Sequence, residues 1–298
     1  MLSLGEELSR KVRGRVKTDE PMRRHTSFGI GGDADLWVEP VDVEEMRAVL
    51  EFANGKGLMK AVFGNGSNYL VRDEGFRGII ISTKGLDGFR RRGDVVLAGG
   101  GLSLKKLLGA TIKMGLTGLE FSAGIPATVG GAVMTNAGGK FGEMGTVVKT
   151  LKVASDRDVS VRDAGNLRFS YRSSGLEGCG AVIVEAELKF LPAEAGAVRR
   201  KVSEIFGYRR KTQPLEFKSA GCIFKNPGLM SAGNMISAAG LGGKRIGDAE
   251  ISSRHANFIV NRGRASASDV MGLIRLIEEE IYRVYNIGLE REVEIIGG

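Results

Sequence analysis

LEFSAGIPATVGGAVMTNAGG, running from Leu119 to Gly139, is the stretch whose reading decides the fold. Glycines and alanines interleave with the hydrogen-bonding side chains of Ser122, Thr128, Thr135 and Asn136, and Pro126 fixes one corner. A helix does not readily accept Pro126 or the Gly130-Gly131 pair in its interior, so the stretch is predicted to be a long loop. Long loops without a function are uncommon in compact domains. A plain connection is the alternative; a backbone that must come close to a ligand is the reading favoured by the residue types.

A second stretch of the same kind lies upstream. FGNGSNYLV, Phe63 to Val71, is an apolar strand ending in Gly-x-Gly-Ser-Asn. Such a turn offers successive backbone N–H groups to a pyrophosphate, with Ser67 and Asn68 as side-chain donors. Taken alone it is as compatible with an ordinary turn. It matches neither the P-loop, which needs a following Lys-Ser/Thr, nor the Gly-x-Gly-x-x-Gly of a Rossmann unit. NAD on a Rossmann half is therefore disfavoured. Two donor-lined glycine-rich loops, each after an apolar segment, suit a flat, extended dinucleotide.

Composition agrees. The chain has 298 residues, enough for two or three domains, and 45 glycines, about twice the usual share. The formal charge of +8 points to acidic partners. Its basic residues form short separate clusters, Arg23-Arg24, Arg90 to Arg92 and Arg209 to Lys211, and aromatic residues are only 6%. Nucleic acid would want more aromatic surface for stacking, so a phosphate-bearing small molecule is the better partner. No apolar run is long enough to span a membrane and the first residues do not read as a signal peptide, so the expected location is the cytoplasm. Cys179 and Cys222 fit neither a CxxC pair nor a zinc site, and two histidines with scattered carboxylates predict no metal.

Periodicity predicts helices over Val41–Gly57, Ser103–Gly115 (capped by Ser103), Ala193–Lys211, Met230–Ala239 and Ser268–Tyr285. Strands are predicted over Met59–Phe63, Gly78–Ser82, Asp94–Ala98, Val147–Ala154, Ala181–Phe190, Asn257–Asn261 and the closing LEREVEIIGG. Strands and helices mixed without regular βαβ alternation define an α+β protein.

Seven stretches in this order cover nearly the whole chain: HTSFGIGGDADLWVEP, FGNGSNYLVRDEGFRGIII, GLTGLEFSAGIPATVGGAVMTNAGG, FSYRSS, SAGCIFKNP, RHANFIVN and LEREVEIIGG. In register, they resemble the UDP-N-acetylenolpyruvoylglucosamine reductase family, in its shorter second type. The resemblance implies an FAD-binding fold of the vanillyl-alcohol-oxidase (PCMH) type in two subdomains, plus a C-terminal α+β substrate domain. The expected boundaries are residues 1–58 with the terminal strand 287–298, then 59–192, then 193–286. FAD would be reduced by NADPH, then pass hydride to C3 of the enolpyruvyl group of a UDP-sugar, with a proton added at C2. The partners implied are NADPH and that UDP-sugar, for a monomer or weak oligomer.

Site residues follow from the same resemblance. Phe63, Gly64, Asn65, Gly66, Ser67 and Asn68, with Ser122, Ala123, Gly124, Ile125, Thr128, Val129, Gly131 and Ala132, would hold FAD. Arg172 of FSYRSS matches the family's catalytic arginine, whose planar fork of donors suits a carboxylate, and Tyr171 beside it would touch substrate. Glu292 matches the catalytic glutamate, kept protonated beside the substrate carboxylate. Read from residues alone, Arg172 is a surface arginine and Glu292 is one of three strand glutamates; the motifs separate them. Cys222 stands where the family usually has the serine that protonates C2. A thiol with an ordinary pKa near ~8.5 is the stronger acid, and also the more oxidisable group. Lys225 and Asn226 would bind substrate, whereas Arg209, Arg210 and Lys211 have two readings, phosphate recognition or ordinary helix-end charge. Cys179, His25 and His255 receive no role. A different flavin oxidoreductase on the same fold and a basic nucleic-acid-binding module are the competing readings; a yellow protein would remove the second.

Overall fold

The structure is a computed structural model that describes residues 2–228 and 230–298. The chain divides into two units, Met1–Thr18, Leu36–Asn65 and Gly78–Gly207 in the first, and Asp19–Asp35, Gly66–Arg77 and Tyr208–Gly298 in the second. Among the described residues no helix is long and apolar enough to cross a membrane.

The first unit begins with α1 (Leu4–Ser9), whose N-cap Ser3 and Glu6 exchange side-chain and backbone bonds as a capping box. Helix α2 (Val43–Gly55) starts where the Asp42 carboxylate accepts the Glu45 N–H, and it buries Met46, Val49, Leu50, Phe52 and Ala53. That stripe covers Leu36, Val38, Ile79 and Ile81 of a sheet ordered Arg15–Pro21, Asp33–Glu39, Phe76–Ser82, Lys60–Phe63. The last two strands run parallel, Lys60 beside Ile79 and Phe63 beside Ser82. A second, antiparallel sheet is ordered Val159–Asp163, Val148–Ala154, Val182–Lys189, Val95–Gly99, Phe89–Arg92.

Helix α3 (Leu104–Lys113) follows the sequence expectation, but Ser103 makes no capping bond through its side chain. The helix start is held instead by the glycine-rich stretch Leu119–Gly139: Ser103 pairs with Thr128 and the Leu104 N–H donates to the Ala127 carbonyl. That stretch is not one long loop. It contains a 3-10 turn at Glu120–Ser122 and a short helix, α4 (Val129–Met134), capped by the Thr128 hydroxyl. Gly130 inside α4 costs helix propensity, yet a Cβ there would lie 3.0 Å from the Gly100 carbonyl oxygen and 3.1 Å from that of Ile183. The glycine lets α4 sit directly on sheet backbone, and close packing overrides propensity. Val129, Ala132 and Val133 complete a core with Val96, Leu104, Leu107, Leu151 and Ala186. Helix α5 (Ala195–Thr212) follows, with Val198 and Ile205 buried.

The second unit is built around α7 (Ala267–Tyr285), with α6 (Ala232–Ala238) beside it. Val270, Leu273, Ile274, Ile277 and Ile281 of α7 pack on Ile223, Phe224, Ile236, Ile251 and Ile259. Burial of each such side chain is worth about 1.5–3 kcal/mol. Three short strands, Arg245–Ile246, Ala249–Ile251 and Ile259–Asn261, form an antiparallel sheet, and Glu294–Ile296 runs parallel to Tyr69–Val71. The terminal strand is shorter than LEREVEIIGG suggests, so Glu292 lies just before it.

Candidate active site

In the first unit the apolar strand Lys60–Phe63 delivers its fully buried Phe63 to the turn at Gly64 and Asn65. Gly64 meets Thr128: a Cβ at position 64 would fall 2.2 Å from the Thr128 Oγ1, so only glycine permits this approach. The Asn65 amide donates to the Pro126 carbonyl at 3.2 Å, which joins the two glycine-rich stretches. Further along, the Thr128 hydroxyl accepts the Gly131 N–H. Buried Glu120 organises the entry to this stretch, its carboxylate accepting from the Thr117 hydroxyl and from the Gly118 N–H at 2.8 Å. Ser122 is 3% exposed and its hydroxyl finds no hydrogen-bond partner among the described residues. Buried hydroxyls are normally satisfied, so an orphan beside a glycine cradle fits a polar ligand that brings the missing partner. Ala123, Gly124 and Ile125 continue this turn, the Ile125 N–H donating to the Ser122 carbonyl.

FSYRSS folds back on itself, with Ser170 and Ser173 bonded through both backbone groups. Glu177 closes the turn by accepting from the Ser174 and Gly175 N–H groups and the Ser173 hydroxyl. Burial pushes the Glu177 carboxyl pKa up, but these donors outweigh it and hold it below the usual carboxylate range. Buried Asn136 braces the other side: its amide donates to the Ser170 carbonyl and its oxygen accepts the Gly145 N–H, both at 2.9 Å. Arg172 takes a left-handed backbone, φ 59°, and donates to the Gly138 carbonyl at 3.3 Å. Its guanidinium stands 5.3 Å from the centre of the Tyr171 ring, within cation–π range. Tyr171 itself is exposed. Neither Glu177 nor Asn136 was singled out for this role from the sequence.

The second unit holds Gly66, Ser67 and Asn68, together with Cys222 and Glu292. Cys222 is half-buried and in no disulfide, and its backbone forms an antiparallel bridge with Phe258. The Ile223 carbonyl accepts the Glu292 N–H at 2.7 Å and the Val293 N–H at 3.3 Å, and the Lys225 N–H donates to the Glu290 carbonyl. The Cys222 and Glu292 segments are therefore adjacent, paired backbone to backbone. Val293 is buried in the core. Asn68 joins them: its side-chain amide donates to the Glu292 carbonyl at 2.9 Å, and its main-chain carbonyl accepts the Glu294 N–H. Lys225 is ion-paired with Glu290 at 2.6 Å, and the Asn226 oxygen accepts the Ala232 N–H at the start of α6. Glu294 receives a hydrogen bond from the Tyr69 hydroxyl.

The histidines keep to packing positions. His25 lies 2.8 Å from Glu20, and His255 stacks edge-on against Phe258, burial pushing its imidazole pKa down. Arg254 pairs with Glu216 and donates to the Gln213 carbonyl just past the end of α5. Cys179 is exposed in its turn. Among the described residues no group of three or more His, Cys, Asp or Glu is placed to hold a metal ion.

A glycine cradle with an orphaned hydroxyl in one unit fits a nucleotide cofactor, and in the other unit the Cys222 segment pairs through its backbone with the Glu292 segment. Residues 34–165 match the FAD binding domain family, and residues 213–296 match the family described as UDP-N-acetylenolpyruvoylglucosamine reductase, C-terminal domain. The chain is 42% identical over its full length to the UDP-N-acetylenolpyruvoylglucosamine reductase of Moorella thermoacetica, covering 98% of that protein. It is 40% identical to that of Bacillus velezensis over 98% of both chains. The crystal structure of the Thermus caldophilus UDP-N-acetylenolpyruvylglucosamine reductase superposes with a TM-score of 0.83 at 36% identity, over 96% of this chain and 99% of that one. The chain belongs to the UDP-N-acetylenolpyruvoylglucosamine reductase family of FAD-dependent oxidoreductases.

Proposed function

We propose that this protein reduces the enolpyruvyl group of UDP-N-acetylglucosamine enolpyruvate to give UDP-N-acetylmuramate, with NADPH as reductant, in the cytoplasm. FAD held here would supply, after reduction by NADPH, the hydride needed at C3. The residues that would hold it are Phe63, Gly64 and Asn65, then Gly66, Ser67 and Asn68, with Ser122 to Ile125 and Thr128, Val129, Gly131 and Ala132. Ser122 brings an unsatisfied hydroxyl and Gly64 an open backbone.

Hydride addition at C3 pushes negative charge toward C2 and the substrate carboxylate. Arg172 meets that carboxylate with a permanently charged fork, and Tyr171 steadies the guanidinium. Glu292, protonated beside the same carboxylate, donates a hydrogen bond to the developing enolate. Cys222 gives its proton to C2, and its thiolate recovers a proton from water. The double bond thus gains one hydride and one proton while NADPH becomes NADP+. Lys225 and Asn226 border the sugar-diphosphate end.

The observation that carries this reading is the pairing of the Cys222 segment with the Glu292 segment, 2.7 Å from the Glu292 nitrogen to the Ile223 carbonyl oxygen. A proton donor and the carboxyl that shapes the enolate must act on the same small group, and this pairing fixes their backbones side by side. The test is the visible spectrum of the purified protein and its NADPH oxidation with and without UDP-N-acetylglucosamine enolpyruvate. A yellow protein whose turnover requires that substrate is expected. A yellow protein indifferent to it would leave only the flavin domain.

A further inference from the structure

We propose that Asn257 is a positioning residue that holds the Cys222 thiol in place by clamping the backbone two residues away. Asn257 is 3% exposed, and both ends of its side-chain amide are used on one residue. Its oxygen accepts the Phe224 N–H at 3.0 Å and its nitrogen donates to the Phe224 carbonyl at 2.8 Å. The Asn257 main-chain carbonyl takes the neighbouring Ile223 N–H, also at 2.8 Å. A side-chain amide has the donor and acceptor of a peptide group, so Asn257 substitutes for a missing strand partner. Across the segment, the Ile223 carbonyl and the Lys225 N–H bond to the strip Glu290–Val293. The backbone groups from Ile223 N–H to Lys225 N–H are thus all satisfied, half of the pairing coming from one asparagine.

Asn257 is itself anchored. The Phe258 N–H bonds to the His255 carbonyl, and the Ser252 N–H to the Phe258 carbonyl, closing a turn around it. Cys222, bridged to Phe258, stands at the start of the clamped run. A rotation of the Phe224 peptide would carry the thiol with it. Misplacement of a reacting group by about 1 Å can cost roughly a hundred-fold in rate, so a fixed Phe224 matters to proton delivery. Removing the amide leaves two buried backbone groups without partners, which favours local opening of this run.

The proposal rests on the proton-donor reading of Cys222, and its test separates the two. Asn257→Asp keeps the acceptor for Phe224 N–H but loses the donor to its carbonyl; Asn257→Leu keeps the volume and loses both. In each variant, flavin reduction by NADPH, reduction of the enolpyruvyl substrate, and iodoacetamide labelling of each cysteine by peptide mapping are measured. Cys179, exposed in the other unit, is the internal reference. The expected result is labelling of Cys222 several-fold faster at unchanged Cys179. Substrate reduction should be down about ten- to a hundred-fold, with flavin reduction within about two-fold of the parent. Cys222 labelling at the parental rate in both variants would overturn the clamp. So would an equal fall in both half-reactions, which is what a merely structural role gives. If the parent protein itself does not reduce the substrate, the reductase reading fails while the labelling ratio still decides the clamp.

Discussion

At Arg172 the backbone is left-handed, a conformation that costs a residue with a Cβ about 1–2 kcal/mol. Glu177 and Asn136 hold the turn on both sides, so the strain is retained by the surrounding bonds. Two substitutions separate strain from chemistry. Arg172→Lys keeps the charge but loses the planar fork, and is expected to slow substrate reduction by about a hundred-fold or more while NADPH still reduces the flavin. Arg172→Gly is expected to lose turnover with a melting temperature equal to the parent or higher. An Arg172→Lys enzyme as fast as the parent would remove the carboxylate role. At this scale only motifs single out candidates: FSYRSS, SAGCIFKNP and LEREVEIIGG are what separate Arg172, Cys222 and Glu292 from many similar side chains. Asn257 stayed hidden because its bonds reach backbone 33 positions away. The available signal was a polar residue in the apolar run ANFIVN, which on burial must find partners.

Elements were read well where a period and a stop coincided. Helix α7 matches its predicted span within a residue, because its apolar stripe is bounded by Ser266 and Asp269 in a capping box and by Asn286. Helix α4 was missed because Gly130-Gly131 argue against a helix locally, and only the nearness of the Gly100 and Ile183 carbonyls reverses that. The first turn of α7 carries a further device invisible in sequence: the Asp73 carboxylate accepts the Ala267 and Ser268 N–H groups and the Ser268 hydroxyl. Burial pushes the Asp73 pKa up, but those three donors outweigh it and hold it below the usual range. A carboxylate lowered by folding stabilises the protein above its unfolded pKa, and that contribution fades as pH falls through the folded value. Asp73→Ala should therefore cost about 1–2 kcal/mol in denaturant melts near neutral pH, and the deficit should shrink in acid. A deficit independent of pH would contradict this. Gly64→Val tests the cradle: the Cβ clash with Thr128 is expected to give folded protein that retains much less flavin after gel filtration. Parental flavin content would put the cofactor elsewhere.

For the whole molecule, a charge of +8 on a chain without aromatic-rich basic stretches fits anionic small molecules. The KM for the UDP-sugar is expected to rise with salt between low and physiological ionic strength while kcat stays level, because screening weakens encounter and not chemistry. A KM flat across that range would remove the steering argument. The α+β class was legible from the chain alone, and the family from its ordered motifs. The chain enters each unit more than once: Asp19–Asp35 and Gly66–Arg77 belong to the second unit, while the segments on either side of them belong to the first. The central claim, that Cys222 protonates C2, meets its most direct test in the separated half-reactions of Cys222→Ala. The account predicts a variant whose flavin NADPH reduces at the parental rate and whose reduced flavin the enolpyruvyl substrate then fails to reoxidise at more than about a hundredth of that rate. Reoxidation at the parental rate would mean that the proton comes from another source and that Cys222 only packs.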